Sequence, residues 1–401
     1  MKHTPVNLRP RDASALEAAV DYALSSFERL RNAAQLLDQP LTGLNVLELG
    51  PGIEFGAQLL LASAGANVSL ADPYLAIWDE NFHPDFYRSL ASRYQGPRSQ
   101  LDIVIAEGSY RSSNLTLLTE PAENMASIGS GAIDLICSYA VLEHVYDIAA
   151  VAAEMARVSA PGAAGLHVID LRDHRNFSRP LEHLLVSDKH HLALASSVGF
   201  EFGNRVRASE FVAHFERSGL EVSKLSCAVP ADEAYITGFM ERVRNSPSPY
   251  KFWPKDDLEK VVIEVKTRRL DRYDSYHRFS LASGYLDVIA ALKQAASASI
   301  EADPETLSTR LDAGRLGQEQ GHAWKWKGVE LPKGDSSEMP TNSNLRLFED
   351  NVELGPAHCL HSDIRESGAG RFSHWGDYLI FSTSDNSDPR SNGRAYKIVT
   401  L

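Results

Sequence analysis

Between residues 44 and 170 the chain alternates short apolar runs with stretches of helical periodicity, and this rhythm limits the available folds more than any single motif. LNVLELG at 44–50 precedes a helical pattern at 56–64, and NVSLAD at 67–72 precedes another at about 76–94. LDIVIAEG at 101–108 reads as a further strand, followed by IDLICSY at 133–139, a helix at 143–159 and GLHVID at 165–170. The order predicts an α/β fold with an open, mostly parallel sheet and helices on both faces. In such sheets ligands bind beyond the carboxyl ends of the strands, so the chemistry is sought there.

The flanks extend this frame. Residues 14–38 place apolar side chains three and four apart behind Ser14, which predicts an opening helix that stops at Pro40 and Gly43. A helical stretch follows residue 180, and RASEFVAHFERSGLEV predicts a helix that closes at Gly219 and leads into a strand. Helices are expected around 255–272 and 283–300, in a charged, Ala-rich extension. From Ala323 the pieces NLRLFED, YLIFSTS and AYKIVTL alternate with turn formers and predict a small antiparallel β-domain, with 334–344 as a linker or surface loop. The expected boundaries are 1–228, 229–322 and 323–401.

Composition narrows the function classes. With 401 residues, 43% hydrophobic and 23% charged, the chain can bury a sizeable core. Forty basic against fifty-three acidic residues give a net charge of −13, which argues against general attraction for nucleic acid or anionic lipid. The basic run Lys266–Arg272 reads as one solvated helix face. Cys137, Cys227 and Cys359 are too far apart for a thiolate metal site or a disulfide framework, and no metal is expected. The start MKHTPVNLRPRD lacks an apolar signal core, and no run approaches the roughly 18 apolar residues of a membrane span. A cytoplasmic enzyme or binding protein is expected.

The first strand ends in Glu48-Leu49-Gly50-Pro51-Gly52. Two glycines at a strand-to-helix turn let a ligand approach the backbone. A dinucleotide fingerprint would place a third glycine where Phe55 stands, so a nicotinamide cofactor is disfavoured. The second strand ends in Asp72, whose carboxylate can accept from both ribose hydroxyls of an adenosine, or can cap a helix.

VLELGPG, LADP, Ala122-Glu123-Asn124-Met125 and the run AIDLICSYAVLEHVYDIAAVAAEMARVSAPGAAGLHVIDLRDH resemble, in order, the motifs of class I S-adenosylmethionine-dependent methyltransferases, over about residues 40–225. The resemblance implies a Rossmann-like sheet and S-adenosylmethionine as cofactor. It implies that Gly50, Pro51 and Gly52 hold the methionine part, that Ser138 and Tyr139 lie beside the cofactor, and that Ala122 and Glu123 lie near the adenine. Glu54 stands where the family often has a third glycine, and Pro121 where it often has an acid, so Glu120 is a further adenine candidate. Glu48 and Asp72 suit a cationic cofactor that has no pyrophosphate.

For the acceptor, His144 follows the fourth strand and can serve as a base near neutral pH, or pack on the helix. Asp170 or Asp173 with His174, at the polar end of the fifth strand, form a second acid–base candidate. His183, His190 and His191 read as surface or pocket residues, and Arg205 and Arg207 as substrate contacts or a helix cap. Trp375 and Phe372, beside His358, His361, Asp363 and Arg371, suit a sugar ring as well as they suit a structural domain. The expected function is methylation of a hydroxyl on a sugar or glycan precursor in polysaccharide biosynthesis. Methylation of a small non-sugar metabolite and a non-catalytic, cofactor-binding scaffold are the alternatives. The oligomeric state stays open.

Overall fold

The computed structural model describes residues 13–111, 113–188, 191, 203–270, 282, 285–294, 308–327, 331, 333–337, 339, 342, 343, 345–350 and 352–400. The chain divides into two compact units. The first comprises Met1–Arg172, Gly203–Ala231 and Asp256–Ala290; the second comprises Asp173–Phe202, Asp232–Lys255 and Ala291–Leu401. Among the described residues no helix is long and apolar enough to cross a membrane.

The first unit runs α1 (Ala13–Ala34), β1 (Asn45–Leu49), α2 (Gly56–Ser63), β2 (Asn67–Ala71), α3 (His83–Arg93), α4 (Ser99–Glu107), β3 (Leu115–Leu118) and β4 (Ile133–Tyr139). It continues with α5 (Ile148–Val158), β5 (Ser159–Asp170), α6 (Ala208–Ser218), β6 (Leu220–Pro230) and β7 (Lys260–Arg269). The strands form one sheet in the order β3-β2-β1-β4-β5-β7-β6. The first five are parallel, and β7 runs antiparallel to both its neighbours. Successive side chains of a strand point to opposite faces. Val46 and Leu135 therefore join one apolar core with Phe27, Leu60 and Phe86, whereas Leu47 and Ile136 join a second with Val151 and Phe211. Burial on both faces explains why β4 reads as a nearly unbroken apolar run.

Two expected elements change type. LDIVIAEG is the helix α4, because Gln100, Leu101 and Val104 turn inward at helical spacing and Gly108 ends it with φ 63°. Its place in the sheet goes to β3, a short edge strand whose side chains are mostly exposed or half-exposed. The expected helix at 255–272 is largely the strand β7, with Val261, Ile263, Val265 and Thr267 buried alternately. Lys266–Arg269 thus lie on a strand, while residues 271 and 272 fall outside the described residues. Of the helix expected at 283–300, residues 285–294 are helical and 295–300 lie outside the description.

The second unit holds α7 (Glu233–Arg244), β8 (Ser308–Arg310), β9 (Leu316–Gln320), β10 (Ala323–Trp326), β11 (Leu345–Glu349) and β12 (Val352–Glu353). It ends with α8 (His361–Glu366), β13 (Phe372–Trp375), β14 (Tyr378–Phe381) and β15 (Tyr396–Thr400). Two four-stranded antiparallel sheets, β13-β14-β10-β9 and β12-β11-β15-β8, share a core of Trp324, Trp326, Leu347, Phe372, Phe381 and Ile398. The antiparallel carboxy-terminal sheets expected from the sequence are present. Phe372 is buried in this core and offers no open ring face.

Candidate active site

After β1 the backbone turns sharply, with the Gly50 N–H donating to the Ala71 carbonyl at 3.0 Å. Gly50 has φ 64° and Gly52 φ 84°, conformations that side chains disfavour. A Cβ on Gly50 would meet Val141 Cγ2 at 2.4 Å, whereas one on Gly52 would meet nothing within 4 Å. The close packing that a third glycine would allow falls to Gly56, where a Cβ would stand 2.8 Å from Leu90 on α3. This turn borders a cavity of about 730 Å³, closed on other sides by α1, the end of β4, and β5 and β7.

Two acids give the cavity its electrostatics. Burial raises the Glu48 carboxyl to about 7, against the pull of its hydrogen bond from Gln58 (2.7 Å) and of Arg29. Burial likewise raises Glu54 to about 7; the Gly56 N–H at 2.6 Å opposes the shift and Glu48 adds to it. Arg29 reaches in from α1 and stacks over the Tyr139 ring at 4.1 Å. Among the described residues neither buried acid is ion-paired, so an arriving cation would favour their charged forms.

Glu48, Gly50, Pro51, Gly52, Ser138 and Tyr139 all border this cavity; Asp72, Ala122 and Glu123 are not among its lining residues. Asp72 follows β2, with its N–H donating to the Leu118 carbonyl and its carboxylate accepting from the Tyr74 N–H at 2.6 Å. Ala122 is buried, and half-buried Glu123 occupies a turn closed by the Asn124 N–H on the Pro121 carbonyl. Glu120 accepts from the Ser127 N–H and hydroxyl. The Ser138 hydroxyl is engaged at 2.9 Å with the buried His167 ring, which burial brings down to about 3 and so keeps neutral.

His144 and Asp170 belong to the first unit, Asp173 and His174 to the second. His144 ends the single 3₁₀ turn Leu142–His144 and is half-buried. Beside it Glu143 is buried and raised to about 8 by that burial, with Asp170 adding to the shift and Arg172 opposing it. Asp170 holds Arg172 in a two-point contact at 2.8 and 2.6 Å. Asp173 and His174 open the second unit, where Asp173 holds Arg175 at 2.8 and 2.7 Å. Burial alone would raise Asp173, but Arg175 keeps it well below the carboxylate range. Arg207 is fully buried and donates to the carbonyls of Leu171, Leu258 and Lys260 while capping α6, so it is a structural residue and not a substrate contact. His183 and His191 are buried, and His190 lies outside the described residues.

Residues 20–225, just over half of the chain, match the family model described as a methyltransferase domain. The chain belongs to this methyltransferase family. Its cofactor is S-adenosylmethionine. A comparison with curated proteins gave no match. Among solved structures, the methyltransferase is similar to a Mesorhizobium loti S-adenosylmethionine-dependent methyltransferase at 13% identity and a TM-score of 0.33, covering 59% of this chain and 96% of that one. It is also similar to the Haemonchus contortus phosphoethanolamine N-methyltransferase 2 in complex with S-adenosyl-L-methionine (13%, TM-score 0.36, 63% and 53%). A third likeness is to geranyl diphosphate methyltransferase in complex with GPP and sinefungin (15%, TM-score 0.35, 60% and 77%). The assignment rests on the domain match and not on these likenesses.

Several groups that shape the methyltransferase cavity escaped the sequence reading: Arg29 and Tyr22 on α1, Gln58 on α2, and Glu264 and Lys266 on β7. Only β7 carried a local signal, the alternation Val261, Ile263, Val265. The others depend on which helix covers which strand.

Proposed function

We propose that this methyltransferase acts on a hydroxyl of a sugar or glycan precursor in polysaccharide biosynthesis, in the cytoplasm. The observation that carries the reading is the Gly50–Gly52 turn set against two unpaired, half-titrating acids, Glu48 and Glu54, at one cavity. About 730 Å³ lies within the roughly 300–1,000 Å³ typical of small-molecule sites. When bound, S-adenosylmethionine supplies a methyl group on a positively charged sulfur. Gly50, Pro51 and Gly52 would hold its methionine part, Ser138 and Tyr139 would flank it, Asp72 would take the ribose hydroxyls, and Ala122 and Glu123 would border the adenine.

Tyr22, Ser26 and Asn32 from α1, with Glu264 and Lys266 from β7, ring the same cavity with hydroxyl, amide, carboxylate and ammonium groups. That mixture of donors and acceptors suits a hydroxylated acceptor. His144 is the proposed base, because Asp170 and Asp173 are each committed to an arginine. Three cysteines with no disulfide accord with a reducing compartment.

Incubation with methyl-labelled cofactor and separate fractions of glycans, nucleotide sugars and small metabolites tests the reading. Label in a sugar-bearing fraction is expected. Label only in a non-sugar metabolite refutes the acceptor class, and binding without turnover in any fraction makes the protein a scaffold.

A further inference from the structure

The second unit contains its own cavity of about 330 Å³, bordered by residues 173–182, Arg346 of β11, Glu353 of β12 and the Leu354–His358 segment. Its walls are strongly charged, and most of the charges are matched. Glu182 is gripped by Arg242 at 2.8 and 2.7 Å and by Arg179 at 3.1 Å. Burial would raise its carboxyl, but these partners bring it down to about 2. Asp173 spends both oxygens on Arg175. The His358 ring is held through Nδ1 by Asp335 at 2.7 Å, and Asp335 is itself fixed by the Ser343 N–H at 2.7 Å.

Two groups do not fit this pattern. The Glu353 side chain is only 5% exposed, yet among the described residues its Oε2 accepts no hydrogen bond. The carboxylate's cationic neighbours are Arg346 Nε, 3.6 Å from Oε1, and Arg175 Nη1, 3.7 Å from Oε2. Arg346, 13% exposed, stands 3.6 Å from Glu353 and 3.9 Å from Glu182. Charge-assisted hydrogen bonds close to about 2.7–2.9 Å, so these partners stand nearly an ångström short of contact. A buried carboxylate oxygen left in this way retains much of its desolvation cost, and the half-buried guanidinium beside it has donors to spare.

What fills the gap must both donate and accept. An anion would satisfy Arg346 but be repelled by Glu353, and a cation would meet the reverse. Adjacent hydroxyls on one ring do both, since each hydroxyl donates one proton and accepts on two lone pairs. We propose that the Glu353–Arg346 cavity of the second unit binds a sugar ring or similar vicinal polyol, Glu353 accepting from and Arg346 donating to neighbouring hydroxyls. The Leu354–Ala357 segment supplies the less polar wall. The ligand class rests on the glycan reading of the proposed function, while the argument for the site stands on this geometry alone.

Ligand-observed NMR on the full chain, without cofactor, tests the site with methyl glycosides of glucose, galactose, mannose and N-acetylglucosamine, and with acetate and inorganic phosphate as anion probes. At least one glycoside is expected to bind saturably, and Glu353→Gln and Arg346→Lys are each expected to weaken it about tenfold. Should either variant fail to fold, Ala357→Phe fills the cavity without changing charge and must abolish the same binding. Acetate or phosphate binding in place of glycosides overturns the proposal, as does no binding by any probe or glycoside binding unchanged in these variants. Methyl transfer, assayed separately, distinguishes the two claims. Glycoside binding here with label appearing only in non-sugar metabolites sinks the functional reading and leaves this site standing.

Discussion

Both cavities are walled by buried carboxyl groups, but the acids sit in opposite settings. In the first unit Glu48 and Glu54 have no ion-pair partner among the described residues, and burial lifts them to about 7. In the second, Glu182 is equally buried but carries Arg242 and Arg179, which hold it near 2. Identical side chains are thus poised to gain a charge partner in one place and already satisfied in the other. The first arrangement favours a cationic ligand, and the second leaves the mismatched Glu353 and Arg346 for a neutral one.

The comparison breaks most visibly on removal of a partner. Arg242→Ala leaves Glu182 buried with its main counter-charge gone and should cost about 3–5 kcal/mol in urea denaturation. At pH 5.5, where Glu48 is still largely protonated, Glu48→Gln removes an acid with no ion pair among the described residues and should stay within about 1 kcal/mol. Equal costs would show that the two settings do not differ.

A smaller effect is expected at the glycine turn. Gly50→Ala forces a positive φ and drives a Cβ to 2.4 Å from Val141, for a combined loss of about 2–4 kcal/mol and loss of cofactor binding. Gly52→Ala meets open space and should cost only the backbone strain of about 1–2 kcal/mol. Denaturation midpoints of the two variants measure the difference, and equal midpoints would deny the close approach at Gly50. Asp72→Ala should weaken S-adenosylmethionine about tenfold by calorimetry, or about 1.4 kcal/mol; unchanged affinity would remove Asp72 from the site.

The last effect is on pH dependence, with opposite signs in the two units. Glu182 is lowered, so its stabilisation is present above the ordinary carboxylate range and fades as pH falls toward 2. Glu48 and Glu54 are raised, so their contribution is present at low pH and is lost as pH rises through about 7. Thermal melts of Glu182→Gln and Glu48→Gln against the parent at pH 3, 5.5 and 8 should therefore lie closest to the parent at pH 3 and part from it at pH 8 in opposite senses, Glu182→Gln melting lower and Glu48→Gln no lower than the parent.

Much of the first unit was legible locally. β1 and β4 are apolar runs with both faces largely buried, β2 and β5 bury mainly alternate residues, and the turn at Gly50 is written in its glycines. The misread elements were those with competing signals. In β7 the basic Lys266–Arg269 masked the alternation of Val261, Ile263 and Val265; in α4 a compact apolar run imitated a strand. The motif residues of the cavity were visible, but Arg29 reaches Tyr139 from a helix more than a hundred residues earlier in the chain, which no local pattern records. The second cavity was hidden for the same reason, since Arg175 and Glu182 meet Arg346 and Glu353 only through the tertiary fold.

Calorimetric titration of S-adenosylmethionine and S-adenosylhomocysteine into the full chain at pH 6 and pH 8 tests the central claim most directly. Because Glu48 and Glu54 ionise near 7, the sulfonium form should tighten by about tenfold between the two pH values while the uncharged thioether changes much less. Absence of binding, or the same pH slope for both ligands, would contradict a cavity whose acids await a cation.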